Sequence, residues 1–207
     1  GAKLGGTVHD VLLAAVTRGY RDLLVAHGED PGDAIVRTAV PVSVRHDDGI
    51  GVPDNRVSVL LLELPVELED PRERLCVVRE RMEELKSSHM AEAGEWLTST
   101  VDLAPPVLIG QLSRLGVRVL SRLPQHSVHT ITTNVPGPQF PLYCCGRRML
   151  EYRPFVPIFH GMRVATAILS YDGQVAFGVT GDLDTAPDVA VLADGIVTGL
   201  DELVAAT

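Results

Sequence analysis

Asp172-Gly173 stands between two runs of strand-forming residues, Arg163 to Tyr171 and Gln174 to Thr180. A two-residue connection of this type reverses the chain with positive φ at both central positions, and its twist matches that of the strands it joins. The feature therefore commits this part of the chain to an antiparallel pair with its register set by the turn. Two strands alone bury too little apolar surface to be stable, so the remaining sequence must add strands and a covering layer. Val189, Leu192, Ile196, Leu200 and Leu203 follow at three- and four-residue steps, the pattern of an amphipathic closing helix that can supply such cover.

The upstream sequence supplies the rest. Thr7 can cap a first helix, with Asp10 three residues on to return the bond, and Val11, Leu12, Ala15, Val16, Leu23 and Leu24 carry the helix to a stop at Gly28. Ile35 to Arg45 reads as a strand, residues 47–55 as a turn-rich loop, and Val57 to Leu64 as a second strand. Pro71 opens a second helix, which the spacing of Leu75, Val78, Met82 and Leu85 carries to about His89. Leu108, Leu112, Leu115, Val119 and Leu123 predict a further helix between Pro105-Pro106 and Pro124, and Ser127 to Asn134 predicts a β-branched strand. The expected fold class is α/β, a mixed sheet with flanking helices.

Size and charge remove several functions. At 207 residues the chain suits one domain with a substantial core. A net charge of −9 argues against nucleic acid as a partner, because a phosphate backbone selects a basic footprint. The longest apolar runs, such as Val11 to Val16, are far too short to cross a bilayer. Cys76, Cys144 and Cys145 give neither a disulfide framework nor a metal-binding spacing, which fits a reducing cytoplasm. His126 and His129 would point to opposite faces of a strand, so no shared metal is expected. Nucleophile-elbow, phosphate-loop, dinucleotide and H-E-x-x-H motifs are all absent. The first residue is not Met, which reads as a piece of a longer protein, and no signal peptide precedes the first helix.

Three segments remain that composition does not explain. They are Thr7-Val8-His9-Asp10-Val11, then Thr133-Asn134-Val135-Pro136-Gly137-Pro138, then Ser170-Tyr171-Asp172-Gly173. Together with Pro41-Val42-Ser43-Val44-Arg45 and Asn55, and in this order, they resemble the C-terminal region of the wax ester synthase/diacylglycerol acyltransferase family. Its pattern reads T-V-N-D-V, V-P-V-S-x-R, G-N, S-N-V-P-G-P and S-Y-x-G. Each motif alone is weak; the ordered set spans essentially the whole chain. His9 departs from the family's Asn, and Thr133 replaces its Ser while keeping a hydroxyl. The family's H-H-x-x-x-D-G, with the general-base histidine, has no counterpart here.

The resemblance implies one half of the chloramphenicol acetyltransferase-like, CoA-dependent acyltransferase fold. Residues 1–207 would be the C-terminal domain of a two-domain enzyme whose catalytic histidine lies in an N-terminal domain. The whole would move a long-chain acyl group from acyl-CoA, a co-substrate rather than a resident cofactor, to a diacylglycerol or a long-chain alcohol. The partners implied are that catalytic domain, acyl-CoA, the lipid alcohol and a membrane or lipid-droplet surface, in the cytoplasm or peripheral to the inner membrane. The same fold with a polyketide or peptide acceptor, or a half-domain that only binds lipid or protein, is the alternative.

Each candidate residue also has a structural reading. Asp10 completes a helix cap, or supports the cleft together with His9. Pro136 and Gly137 suit a type II turn with positive φ at the glycine, and Asn134 could tie its amide to local backbone; alternatively the three line the acyl-CoA and acceptor cleft. Ser170 and Tyr171 pack a sheet or border the same cleft. Arg114, Arg118 and Arg122 recur every four residues, either as a solvated helix face or as a contact for CoA phosphates or anionic lipid, with Trp96 as a further membrane seat in the second reading.

Overall fold

The structure, a computed structural model of the chain, describes residues 6–43, 57–88, 128–158 and 161–207. Its elements in order are α1 (Val8–Ala26), β1 (Val36–Ser43), β2 (Val57–Leu64), α2 (Pro71–Ser87), β3 (Thr130–Pro136), β4 (Tyr143–Cys144), β5 (Arg147–Arg148), β6 (Val164–Tyr171), β7 (Gln174–Gly181) and α3 (Val189–Ala205). The main sheet has the order β2-β1-β3-β6-β7. Strands β1, β3 and β6 run parallel, and antiparallel β2 and β7 close the two edges. The expected mixed sheet with flanking helices is what forms. The strand predicted at Ile35 is paired from Val36, and Val57–Leu64 is paired over its full predicted length.

Local chemistry explains the element ends. The Thr7 side chain accepts from the Asp10 amide, and Asp10 Oδ2 accepts from the Thr7 amide at 2.8 Å and its hydroxyl at 2.7 Å, a reciprocal cap. Gly28, at φ +74°, turns the chain out of α1. Asp70 caps α2 by accepting from the amides of Arg72 and Glu73, with Pro71 in the first turn. Asp172 and Gly173 both have positive φ, as the hairpin between β6 and β7 requires.

The helices and one face of the sheet share one core. Leu60, Leu62 and Leu64 of β2, Val36 and Val40 of β1, and Val164 and Ile168 of β6 meet Leu13 and Val16 of α1, Val78 and Met82 of α2, and Leu192 and Ile196 of α3. The central strands instead present buried hydroxyls from Thr38, Thr130, Thr132 and Thr166. Burial without partners would cost stability. Thr38 therefore donates to Thr132 at 2.9 Å, and Thr130 donates to the Val164 carbonyl while sharing a 2.6 Å bond with the Tyr20 hydroxyl. Desolvation pushes the Tyr20 pKa up to about 12, so the phenol stays protonated.

Helices α1 and α3 touch backbone to backbone. A Cβ on Gly19 would lie 2.6 Å from the Leu192 carbonyl oxygen, and one on Gly195 would lie 2.7 Å from the Gly19 Cα. Above this seam Arg74, fully buried on α2, donates to Glu202 of α3 at 2.8 Å, and Arg18 of α1 also pairs with Glu202.

Two expectations need correction. The strand predicted to stop at Asn134 continues to Pro136, because Asn134, Val135 and Pro136 stay in register with Ile168, Leu169 and Ser170 of β6. Gly137 does not have the positive φ of a type II turn. Its glycine requirement is one of space, since a Cβ there would overlap the Ser170 carbonyl oxygen. The helix predicted around Leu108–Leu123, the turn-rich loop, Val44, Arg45, Asn55, Trp96 and His126 lie outside the described residues.

Candidate functional site

Because β1, β3 and β6 are parallel, their carboxyl ends open on one edge of the sheet, the edge at which open α/β sheets place ligands. The N-terminus of α1 reaches the same edge. There the Asn134 side-chain amide nitrogen lies 2.9 Å from His9 Nδ1. Two of the segments singled out in the sequence, 125 residues apart, are thus joined by one hydrogen bond. Asn134 reaches across to the helix layer and does not cap its local backbone through this nitrogen. The even spacing from Thr130 and Thr132 explains why, since all three share the helix-facing side of β3.

An amide N–H can only donate, so His9 Nδ1 accepts and the proton of the neutral ring sits on Nε2. That Nε2 is buried and meets no hydrogen-bond partner. Burial holds the His9 pKa below the ordinary histidine value; Lys86, at the end of α2, acts in the same direction and Asp10 opposes it. Asp10 itself is buried in the helix cap, so its structural reading holds, and it sits beside the His9–Asn134 pair in sequence and in space. Sequence reasoning did not single out Lys86. Its signal was faint, one of only two lysines in the chain.

The third segment lies next to the second. Ser170 Oγ accepts from the Gly137 amide at 3.3 Å and from Gln139 Nε2 at 3.0 Å. Gln139 in turn accepts from the Gly173 amide, tying the chain after β3 to the β6–β7 turn. Tyr171 is buried, and its hydroxyl accepts from the Leu142 amide at 2.8 Å and donates to the Met149 carbonyl at 3.0 Å. Ser170 and Tyr171 therefore tether the segment between β3 and β6, the role closest to their packing reading. Pro136 is exposed at the end of β3. Arg114, Arg118 and Arg122 lie outside the described residues.

That tethered segment, residues 137–158, forms an arm over the sheet face opposite the helices. The small hairpin β4–β5 closes around Cys145 and Gly146, both at positive φ. This hairpin went unrecognised because its strands are two residues each. Phe140, Tyr143, Leu150 and Phe155 of the arm are all largely exposed. A groove of about 320 Å³ runs between the arm and the β6–β7 hairpin, lined by Tyr152, Arg153, Tyr171 and Phe177. A wider apolar one, about 450 Å³, lies at the opposite end of the sheet beside Tyr20, Leu24, Ile35 and Val164. Neither is lined by His9 or Asn134.

Among the described residues no group of His, Cys, Asp and Glu is placed to hold a metal ion, and no helix is long and apolar enough to cross a membrane. His129 Nδ1 accepts from the Arg37 amide.

Comparison with known proteins bears on the family and the fold. The model of the WS/DGAT C-terminal domain matches residues 54–204. A probable diacylglycerol O-acyltransferase of Mycobacterium tuberculosis (strain H37Rv) is 39% identical over 203 residues, covering 98% of this chain and 43% of that protein. The wax ester synthase/diacylglycerol acyltransferase from Marinobacter aquaeolei VT8 superposes with a TM-score of 0.70 at 25% identity, over 97% of this chain and 44% of that one. The epimerization domain from the third module of tyrocidine synthetase B shares the fold, with a TM-score of 0.55 at 15% identity over 94% and 41% of the two chains. The chain spans less than half the length of these relatives.

Proposed function

The chain belongs to the wax ester synthase/diacylglycerol acyltransferase family as its C-terminal domain, and from that premise we propose that it forms one wall of an acyl-CoA and acceptor cleft in a two-domain O-acyltransferase. The observation that carries this reading is the His9–Asn134 bond, which brings two of the family-like segments together at the carboxyl edge of the parallel strands. The acyl group passes from the CoA thioester to the hydroxyl of a diacylglycerol or long-chain alcohol. A histidine base outside this chain takes the hydroxyl proton, and that base must lie within hydrogen-bond reach of the nucleophile. His9, Asp10 and Asn134 with Pro136 and Gly137 border the cleft, and Ser170 and Tyr171 hold its edge. Residues 1–207 act as the C-terminal domain, and the exposed apolar arm offers surface on which the catalytic half docks.

CoA release from palmitoyl-CoA with hexadecanol or dioleoylglycerol tests the reading. We expect turnover from this chain combined with its upstream half and none from the chain alone. Turnover by the isolated chain would refute the division of labour. Silence of the two folded and associated halves would favour another acceptor or a module that only binds lipid. Contact of Arg114, Arg118 and Arg122 with anionic lipid, at the cytoplasmic membrane face or a lipid droplet, is a companion proposal resting on sequence. Co-sedimentation with anionic vesicles, unchanged when all three arginines are replaced, would end it.

A further inference from the structure

Cysteine is among the most buried residue types, and where it stays in solvent its reactivity rather than its packing accounts for its place. Cys144 and Cys145 are adjacent, free and both exposed. They form the corner of the β4–β5 hairpin: Cys144 pairs with Arg147, and the turn residues Cys145 and Gly146 stand at φ +50° and +76°. Two-residue turns of this kind favour Asn, Asp or Gly at the central positions, so conformation does not explain a cysteine at +50°. A Cβ built on Gly146 would meet nothing within 4 Å, so the corner is open to small reagents. The third cysteine is a contrast within the same chain. Cys76 is half-buried on α2, and its thiol donates to Glu80 Oε1 at 3.3 Å. That bond, with the Glu80 charge, holds its pKa above the ordinary thiol value and keeps it from the thiolate form that reacts.

Neighbouring thiols have a property that separated ones lack: oxidation of one is resolved by the other. Consecutive Cα atoms lie about 3.8 Å apart, whereas an unstrained disulfide spans about 4.4–6.8 Å. A bridge between neighbours is therefore strained, and strained exposed disulfides are the ones readily reduced again. We propose that Cys144 and Cys145 are a site of reversible oxidation by peroxide, closing to a disulfide that opens the β4–β5 corner. One thiol attacks a peroxide oxygen: an S–O bond forms, the O–O bond breaks, the sulfur becomes a sulfenic acid and water leaves. The neighbouring thiol attacks that sulfur; the S–S bond forms, the S–O bond breaks, and its proton departs with the oxygen as a second water. The peroxide is reduced by two electrons and the chain loses two hydrogens.

Successive side chains of a strand point in opposite directions, so ring closure has to rotate the peptide between the two residues. Cys144 then leaves its register with Arg147, and the adjoining pair of Tyr143 with Arg148 is disturbed with it. The 2.7 Å ion pair of Arg148 with Asp172, in the β6–β7 turn, is the link that loosens. The opening stops at Leu142 and Met149. Their backbones are bonded to each other and to the buried Tyr171 hydroxyl. The site stands whether or not the arm docks the catalytic half.

The test adds hydrogen peroxide to the intact protein, alkylates the remaining thiols and weighs the peptides. The peptide holding Cys144 and Cys145 should lose two hydrogens and take up no alkyl group, at a rate about tenfold or more above loss of the Cys76 thiol. Dithiothreitol should restore both thiols. Cys145→Gly suits the positive φ and should keep the hairpin while forming no bridge. Oxidation of Cys76 as fast as the pair, sulfenic or sulfinic acids at the pair without a bridge, or no reaction there would overturn the site. Hydrogen exchange of the oxidised protein should speed up at residues 143–148 and stay slow at Leu142 and Met149. A bridge that leaves this exchange unchanged would overturn the opening of the corner.

Discussion

The α1–α3 seam and the arm of residues 137–158 use apolar surface on opposite terms. In the seam, glycines and alanines let two helices meet at backbone distance, with Ala15, Gly19, Gly195 and Gly199 all at the contact. The charged groups above it are mutually paired through Glu202. The arm carries larger apolar groups, Phe140, Tyr143, Leu150 and Phe155, and leaves them in solvent. A few polar tethers hold it: Tyr171 hydroxyl to Leu142 and Met149, Arg148 to Asp172, and the Asp172 amide to the Pro138 carbonyl. The difference teaches that burial is finished at the α1–α3 seam and unfinished along the arm. A seam of this kind serves stability, whereas the arm leaves its apolar surface open, as the docking proposed above requires.

The largest expected effect tests the finished side. Gly19→Val would place side-chain atoms where the Leu192 carbonyl and the Ile196 side chain now sit. Because the obstacle includes backbone, neither helix can yield by a rotamer change, and the cost should be about 3 kcal/mol or more. Thermal unfolding should show a large drop in midpoint or no cooperative transition. A midpoint within a degree or two of wild type would mean that the helices do not cross this closely.

The arm should respond in the contrary way. Replacing Phe140, Leu150 and Phe155 together by Ser removes no buried side chain, and exposed substitutions typically change stability by less than about 0.5 kcal/mol each. Affinity for the separately produced upstream half should nevertheless fall by about tenfold or more, since apolar anchors dominate such interfaces. A titration of wild-type and triple-variant chains, set beside their unfolding curves, separates the two quantities. Lost stability with unchanged affinity would erase the distinction between the regions.

Much of this contrast was legible in the sequence on the helix side and little of it on the arm side. Local rules govern the Thr7–Asp10 cap, the Asp172-Gly173 turn and the leucine spacing of α3, so residue types alone expose them. The His9–Asn134 bond was not legible, because which strand faces which helix depends on sheet order. Nor was the reason for Gly137. Turn chemistry pointed to positive φ, but the glycine answers to the neighbouring Ser170 carbonyl of a strand 33 residues later. The arm escaped for a different cause: strands of two residues carry no periodicity, and exposure is a tertiary property. The resemblance to a known family supplied the order of the motifs, and the fold supplied their meeting point.

The smallest effect belongs to the joint between the regions, where His9 at the start of α1 meets Asn134 just before the arm begins. Burial, with Lys86 adding and Asp10 opposing, lowers the His9 pKa in the folded chain below its ordinary 6.5. Between those two values the unfolded chain binds the proton more readily than the folded one, so unfolding becomes easier as pH falls. The contribution of neutral His9 to stability is therefore complete above about pH 6.5, declines as pH drops through the folded-state pKa, and levels off below it. Urea midpoints at about pH 8 and about pH 5 should differ less for His9→Asn than for wild type, since Asn does not titrate in this range. Other groups set most of the acid dependence, so only the difference between the two proteins carries the information. If the two curves stay parallel across the range, His9 feels water as an ordinary histidine does, and the Asn134 bond is too weak to order the joint.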